Sequence, residues 1–191
     1  YSFETTAIRN RVWYNGKAPE IEQLQKALVK NGFVDTSFWG MVPSTEKIRK
    51  IHSGLPKILV RTLARIVKAD MSDISFDKDP AAKARWDEIK DDINFKKIVG
   101  KALVTALAIG DACFKLSVDT AVSQGPLLEV WPADKCKYYW DRGKFVGVDF
   151  YTYKNYESKR YRLVEMYRIG SVSYRMEDAS GKNVDLSIIP E

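Results

Sequence analysis

Residues 95–118 read FKKIVGKALVTALAIGDACFKLSV, and the period of the chain changes inside that stretch. Phe95, Ile98, Val99, Ala102, Leu103, Ala106 and Leu107 recur at three- and four-residue steps, which places them on one face of an α-helix. After Gly110-Asp111 the side chains from Ala112 to Val118 alternate with the period of a strand. Gly110 suits the helix end because glycine enters the left-handed conformation without strain. The helix is expected to be the central buried one, about 22 Å long for about 15 residues. This switch predicts an α+β chain, with an N-terminal helical layer (1–110) packed on a C-terminal antiparallel β meander (111–191).

Upstream of the switch, Pro19 to Lys30 reads as a helix with proline in its opening turn, a left-handed stop at Asn31-Gly32, and Ile21, Leu24, Ala27 and Leu28 on one face. The following loop carries Phe33, Phe38 and Trp39, and so many large apolar groups imply docking inside the same chain. Ser44 caps a short helix predicted to reach His52. A second helix opens at Leu55-Pro56. Its apolar residues Leu55, Ile58, Leu59, Leu63, Ile66 and Val67 separate from a basic stripe, Lys57, Arg61, Arg65 and Lys68. Asp79-Pro80 opens a further helix running through Trp86 and Ile89 toward Asp92.

Downstream, strands are predicted at Ala112–Val118, Leu127–Trp131, Lys135–Trp140, Phe145–Tyr153, Tyr161–Arg168, Ser171–Met176 and Val184–Ile189. Asp141-Arg142-Gly143-Lys144 reads as a tight hairpin turn. Alternation along these strands predicts an antiparallel meander with one solvated face.

The chain has 191 residues, 45% hydrophobic and 12% aromatic, which excludes disorder, collagen and small disulfide scaffolds. No apolar run reaches the roughly 18 residues of a membrane span. Cys113 and Cys136 sit in strand-like surroundings and read as small hydrophobes of a reducing compartment. The sequence starts at Tyr1 and stops just after a predicted strand, which is read as a fragment; its first residues carry no signal-peptide pattern.

The net charge is +6, and its source is local. Lys47, Arg49, Lys50, Lys57, Arg61, Arg65 and Lys68 fall within 47–68 with no Asp or Glu among them, so the remaining 24 bases nearly balance 25 acids. Such a field points to an anionic partner, nucleic acid or an acidic protein surface, or else to a solvated helix face.

In order and spacing, these elements resemble the portal proteins of tailed bacteriophages. The resemblance rests on Ser37-Phe38-Trp39-Gly40, then Ile48 through His52, Ser53, Gly54, Leu55 and Pro56 leading into a helix. It continues with Ala108-Ile109-Gly110-Asp111 ending the apolar helix, and Leu128 through Trp131, Pro132, Ala133 and Asp134 before the Tyr139–Phe150 hairpin. It covers most of residues 35–176, as the N-terminal, wing-like part of a subunit. The resemblance implies a ring, usually of twelve copies, at one capsid vertex of the virion, assembled in the host cytoplasm. DNA would be packaged and ejected through it, with terminase, capsid and head–tail adaptor proteins as partners and no membrane. It also implies no catalysis, metal or cofactor. The long stem helices, the clip and the crown of the family would lie beyond Glu191.

Other chemistries have weaker support. His52 is the single histidine, so a nucleophile pair would need it beside Cys113 or Cys136 and an orienting carboxylate. Asp87, Glu88, Asp91 and Asp92 cluster on one helix, where consecutive acids point apart, and they read as a solvated face. No phosphate loop, dinucleotide fingerprint or Cys-x-x-Cys pair occurs. Tyr138, Tyr139, Trp140, Phe150, Tyr151 and Tyr153 offer a base-stacking picture, although alternation divides them between two sheet faces. A stand-alone nucleic-acid-binding module using the basic helix is the rival reading. The basic stripe itself is assigned to DNA or, by slight preference, to a neighbouring subunit.

Overall fold

The computed structural model describes residues 3–33, 38–39, 50–76, 79–123 and 125–189. Five helices precede two antiparallel sheets, which is the α+β class. The helices are α1 (Phe3–Asn15), α2 (Ala18–Lys30), α3 (Leu55–Asp70), α4 (Pro80–Asp92) and α5 (Phe95–Ile109). A two-stranded sheet of β1 (Ala112–Ser117) and β2 (Leu127–Pro132) follows. The five-stranded sheet is a meander in sequence order: β3 (Cys136–Asp141), β4 (Lys144–Tyr156), β5 (Lys159–Arg168), β6 (Ser171–Glu177) and β7 (Asn183–Val184).

Two compact units emerge, residues 1–130 and 131–191. Their boundary falls inside β2, between Val130 and Trp131, rather than at 110/111, so β1 and most of β2 group with the helices. In the first unit α5 is the hub, packing on α1, α3, α4 and β1. It is not the buried rod expected of it. Only Ala102 and Ile109 are buried and Leu107 is exposed, because the neighbours of α5 cover single stripes of it rather than its whole circumference. On α2 the buried positions are Ile21, Gln25 and Leu28, while Ala27 of the expected face is exposed.

The stops match their chemistry. Gly110 caps α5 at φ 109° and donates to the Ala106 carbonyl, and Gly32 follows α2 at φ 70°. Asp79 caps α4 by accepting from the Ala82 amide at 2.9 Å. The Ser44 helix falls outside the described residues except for Lys50–His52, which are not helical. Of the aromatic residues expected to dock, Trp39 does so, while Phe33 and Phe38 each remain 57% exposed. Trp39 meets Trp13 of α1 edge-on at 6.0 Å, and Lys50 donates to the Trp39 carbonyl at 2.8 Å. Lys50 also lies 3.8 Å from Glu22, so this member of the basic run is spent inside the fold.

Helix α1 ends at Gly16, with φ 69°, where an added Cβ would sit 2.6 Å from His52 Nδ1. Gly16→Ala is therefore expected to cost about 1–2 kcal/mol, from the left-handed backbone and a displaced imidazole. Thermal denaturation measures it.

In the second unit, the β3–β4 turn at Arg142-Gly143 has positive φ at both residues, as two-residue hairpins require. The β4–β5 turn does the same with Glu157 (φ 47°) and Ser158 (φ 62°), neither of them glycine. Ser158→Gly is expected to stabilise the protein by about 1 kcal/mol, raising the melting temperature by several degrees. The last predicted strand shrinks to Asn183–Val184, because Asp185 caps a 3₁₀ turn through the Ser187 amide at 2.9 Å and ends the pairing.

Candidate interaction surface

Helix α3 begins at a left-handed Gly54 and carries proline in its first turn. Lys57, Val60, Ala64 and Lys68, three or four residues apart, run along one side of it. Ala64 is buried, Lys57 and Val60 are half-buried, and the Lys68 stem crosses Gly100 of α5 with its Cδ 3.4 Å from where a Cβ would stand. The side of α3 turned to α5 is thus the small and basic one. Leu55, Ile58, Leu59, Leu63, Ile66 and Val67 instead remain 45–60% exposed. An amphipathic helix normally turns such a stripe to the core. No element among the described residues covers it.

The basic residues beside that stripe are also uncommitted. Lys57, Arg61, Arg65 and Lys68 have no ion pair or hydrogen bond among the described residues. Lys47 and Arg49 lie outside the described residues. The surface therefore presents six large apolar side chains bordered by unpaired positive charge, the composition of an interface core and its rim.

The motif residues serve as junctions. His52 Nδ1 accepts from the Gly54 amide at 3.0 Å, and the ring lies 5.7 Å from Trp13. Leu55 and Pro56 open α3. Asp111 accepts from the Ala112 amide at 2.7 Å where the chain leaves Gly110 for β1. Pro132 ends β2, and Asp134 sits in the 3₁₀ turn entering β3. Each holds the backbone at a change of element.

The cysteines are free thiols occupied locally: Cys113 Sγ donates to the Phe114 carbonyl (3.5 Å) and Cys136 Sγ to that of Pro132 (3.4 Å). The α4 acids are divided rather than gathered. Asp87 lies 3.1 Å from both Lys83 and Lys90, Glu88 2.8 Å from Arg85, and Asp92 accepts from Ser123 at 3.0 Å. The Lys90 and Lys83 ammonium groups hold the Asp87 carboxyl below the usual carboxylate range. Among the described residues no three His, Cys, Asp or Glu side chains converge as a metal site.

The tyrosines divide as alternation requires. Tyr138, Trp140 and Phe150 share one face of the five-stranded sheet, with Phe150 against Trp131 and Tyr167. Tyr139, Tyr151 and Tyr153 line the other, where arginines already cover them: Arg168 over Tyr139 at 4.2 Å, Arg162 over Tyr151 at 5.1 Å and Arg160 over Tyr153 at 4.2 Å. Beneath that layer lies a charged network the sequence reading missed. Buried Asp149 accepts from the Tyr139 hydroxyl at 2.7 Å and lies 2.7 Å from Arg168 Nη2. The second contact lacks hydrogen-bond alignment, so it acts through charge alone. Buried Glu177 is shared by Arg162 and Arg175. A lone acid in each of β6 and β4, Glu177 opposite Arg162 and Asp149 diagonal to Arg168, was the available signal.

Comparison with protein-family models, curated proteins and solved structures returns no match.

Proposed function

We propose that this chain is part of a portal subunit of a tailed bacteriophage, a structural element of the ring at the capsid vertex through which DNA is packaged and ejected. The reading rests on the ordered motifs of residues 35–176. One structural observation supports it: the outward face of α3 is apolar, bordered by unpaired bases, and fits a protein contact repeated from copy to copy. Its partners would be further copies of itself, with terminase, capsid and adaptor proteins and the passing DNA. Its work would be geometric, without a catalytic residue or cofactor. The host cytoplasm would be its place during assembly and the portal vertex of the virion afterwards.

The rival reading, a stand-alone nucleic-acid-binding module, draws on the unpaired Lys57, Arg61, Arg65 and Lys68. The apolar face weighs against it, since a phosphate backbone gives leucine and isoleucine nothing to bury against. A neighbouring copy supplies both apolar surface and acids. Of the α4 acids, Asp91 has no salt bridge or side-chain hydrogen bond among the described residues, only its charge acting on Lys90, whereas Asp87, Glu88 and Asp92 would have to exchange their partners.

Light scattering of this chain, and of its gene product carried past Glu191, tests the proposal with DNA binding read on the same samples. A large closed ring in the longer product, reduced to monomer by Leu59→Asp with Ile66→Asp, is the expected result. Both side chains are exposed, so the isolated variant should keep its helix content and melting temperature. Monomers throughout, with tight and steeply salt-dependent DNA binding weakened by Arg61→Glu, would transfer the function to the basic stripe.

A further inference from the structure

The end of α3, the residues that follow it, and the facing sides of α4 and α5 line a solvent-open pocket of about 340 Å³. Trp86 and Phe95 form one wall, edge to face with centroids 5.0 Å apart, and Met71, Ile74 and Val99 extend the apolar lining. Three lysines, Lys68, Lys90 and Lys96, and one acid, Asp73, stand around it. Two of the lysines are engaged, Lys90 with Asp87 at 3.1 Å and Lys96 with Asp73 at 3.4 Å. Lys68 is not, for its stem lies along Gly100 and its ammonium has no acid among the described residues.

We propose that this pocket is a binding site for a small apolar group that carries a carboxylate. The volume lies at the small end of ligand pockets, which excludes a nucleotide or a cofactor of similar bulk and admits a short acyl chain or one aromatic ring. Five apolar side chains supply the burial. Lys68 supplies the charge-assisted hydrogen bond for a carboxylate at the mouth; Asp87 and Asp73 offset Lys90 and Lys96, so Lys68 alone carries the preference for an anionic head. The same chemistry is available from a free carboxylic acid or from a protein chain ending in an apolar residue, whose terminal carboxylate follows directly. This site goes beyond the portal reading, because it uses neither the outward leucines of α3 nor assembly of the chain.

The test follows the Trp86 indole N–H resonance of the intact 191-residue protein, assigned with Trp86→Phe, while octanoate, octylamine, octanol or a short peptide ending in phenylalanine is titrated. Octanoate should shift the resonance saturably, octanol about ten-fold more weakly, and octylamine not at all. Lys68→Gln should reduce octanoate binding to the level of octanol. This position is exposed, so the variant should fold normally, and it keeps the test decisive even if a cavity-filling Val99→Phe does not. If Val99→Phe folds, it should abolish binding. Leu59→Asp on the outward face of α3 should leave binding unchanged, which separates this site from nonspecific adhesion to the leucine face. Saturation by the peptide but not by octanoate would assign the site to a protein terminus, and the converse to a free acid. Equal shifts by octanoate and octylamine, or octanoate binding indifferent to Lys68→Gln, would overturn the proposal.

Discussion

Gly147→Ala is expected to destabilise the sheet of residues 131–191 by about 3 kcal/mol or more, enough to remove most of the stability of a unit this small. Gly147 is in β4, paired with Tyr139 on one side and Arg168 on the other, next to the irregular register at Tyr139/Trp140. A Cβ there would lie 2.6 Å from the Tyr167 carbonyl oxygen and 2.7 Å from Arg168 Cδ. The carbonyl belongs to the backbone of a paired strand, so it cannot turn aside as a side chain would. Relief requires β4 and β5 to part where the Arg168 guanidinium donates to the same carbonyl at 2.8 Å. Hydrogen-exchange protection of β4 and β5, with thermal denaturation, measures the loss. Gly170→Asn is the control: its φ of 77° is left-handed but nothing lies within 4 Å, so the cost should be small. A Gly147→Ala protein as stable as that control would show that the close approach is not a constraint.

The second large effect is expected at Asp149. Removing its charge with Asp149→Asn, or the whole group with Asp149→Ala, should cost about 2–3 kcal/mol, less than for a fully buried ion pair because Arg168 is about a third exposed and solvent screens it. The substitution leaves the Arg168 guanidinium without its counter-charge, and Asp149→Ala also leaves the Tyr139 hydroxyl without its acceptor. Replacing both members, Asp149→Leu with Arg168→Met, should recover much of the loss, since the penalty arises from the unpaired partner rather than from the missing attraction. Denaturant unfolding of the two single variants and the double gives the coupling energy directly. Additive losses, with no recovery in the double variant, would mean that the side chains are held by packing rather than by their charges.

Sequence reasoning succeeded wherever structure is set by neighbours three or four residues away. The stripe of α5, the Gly110 stop, the proline openings of α2, α3 and α4, and the Arg142-Gly143 turn all express local rules, and they stand within a residue or two of expectation. It missed α1, whose buried Ala7 has an exposed Ile8 beside it and polar residues around it, leaving no apolar period to detect. It missed the Glu157-Ser158 turn because neither residue advertises a positive φ; the pairing of Tyr156 with Lys159 imposes it. The sequence separated the apolar and basic stripes of α3, yet their direction was not available, because a helical wheel orders side chains around an axis without saying which way the axis is turned.

For this protein, then, the amino-acid sequence by itself determined which segments are helix or strand, where most of them stop, and that one short stretch carries nearly all of the net charge. Those properties depend on backbone sterics, hydrogen bonds within a few residues and simple counting. Tertiary structure alone decided that α3 lays Ala64 and the Lys68 stem toward α5 and leaves its leucines outside, that Asp149 and Glu177 are buried beneath arginines, and that β1 and most of β2 group with the helices. Each of these turns on contact between groups far apart in the chain, where burial of one surface is set by the shape and charge of the other.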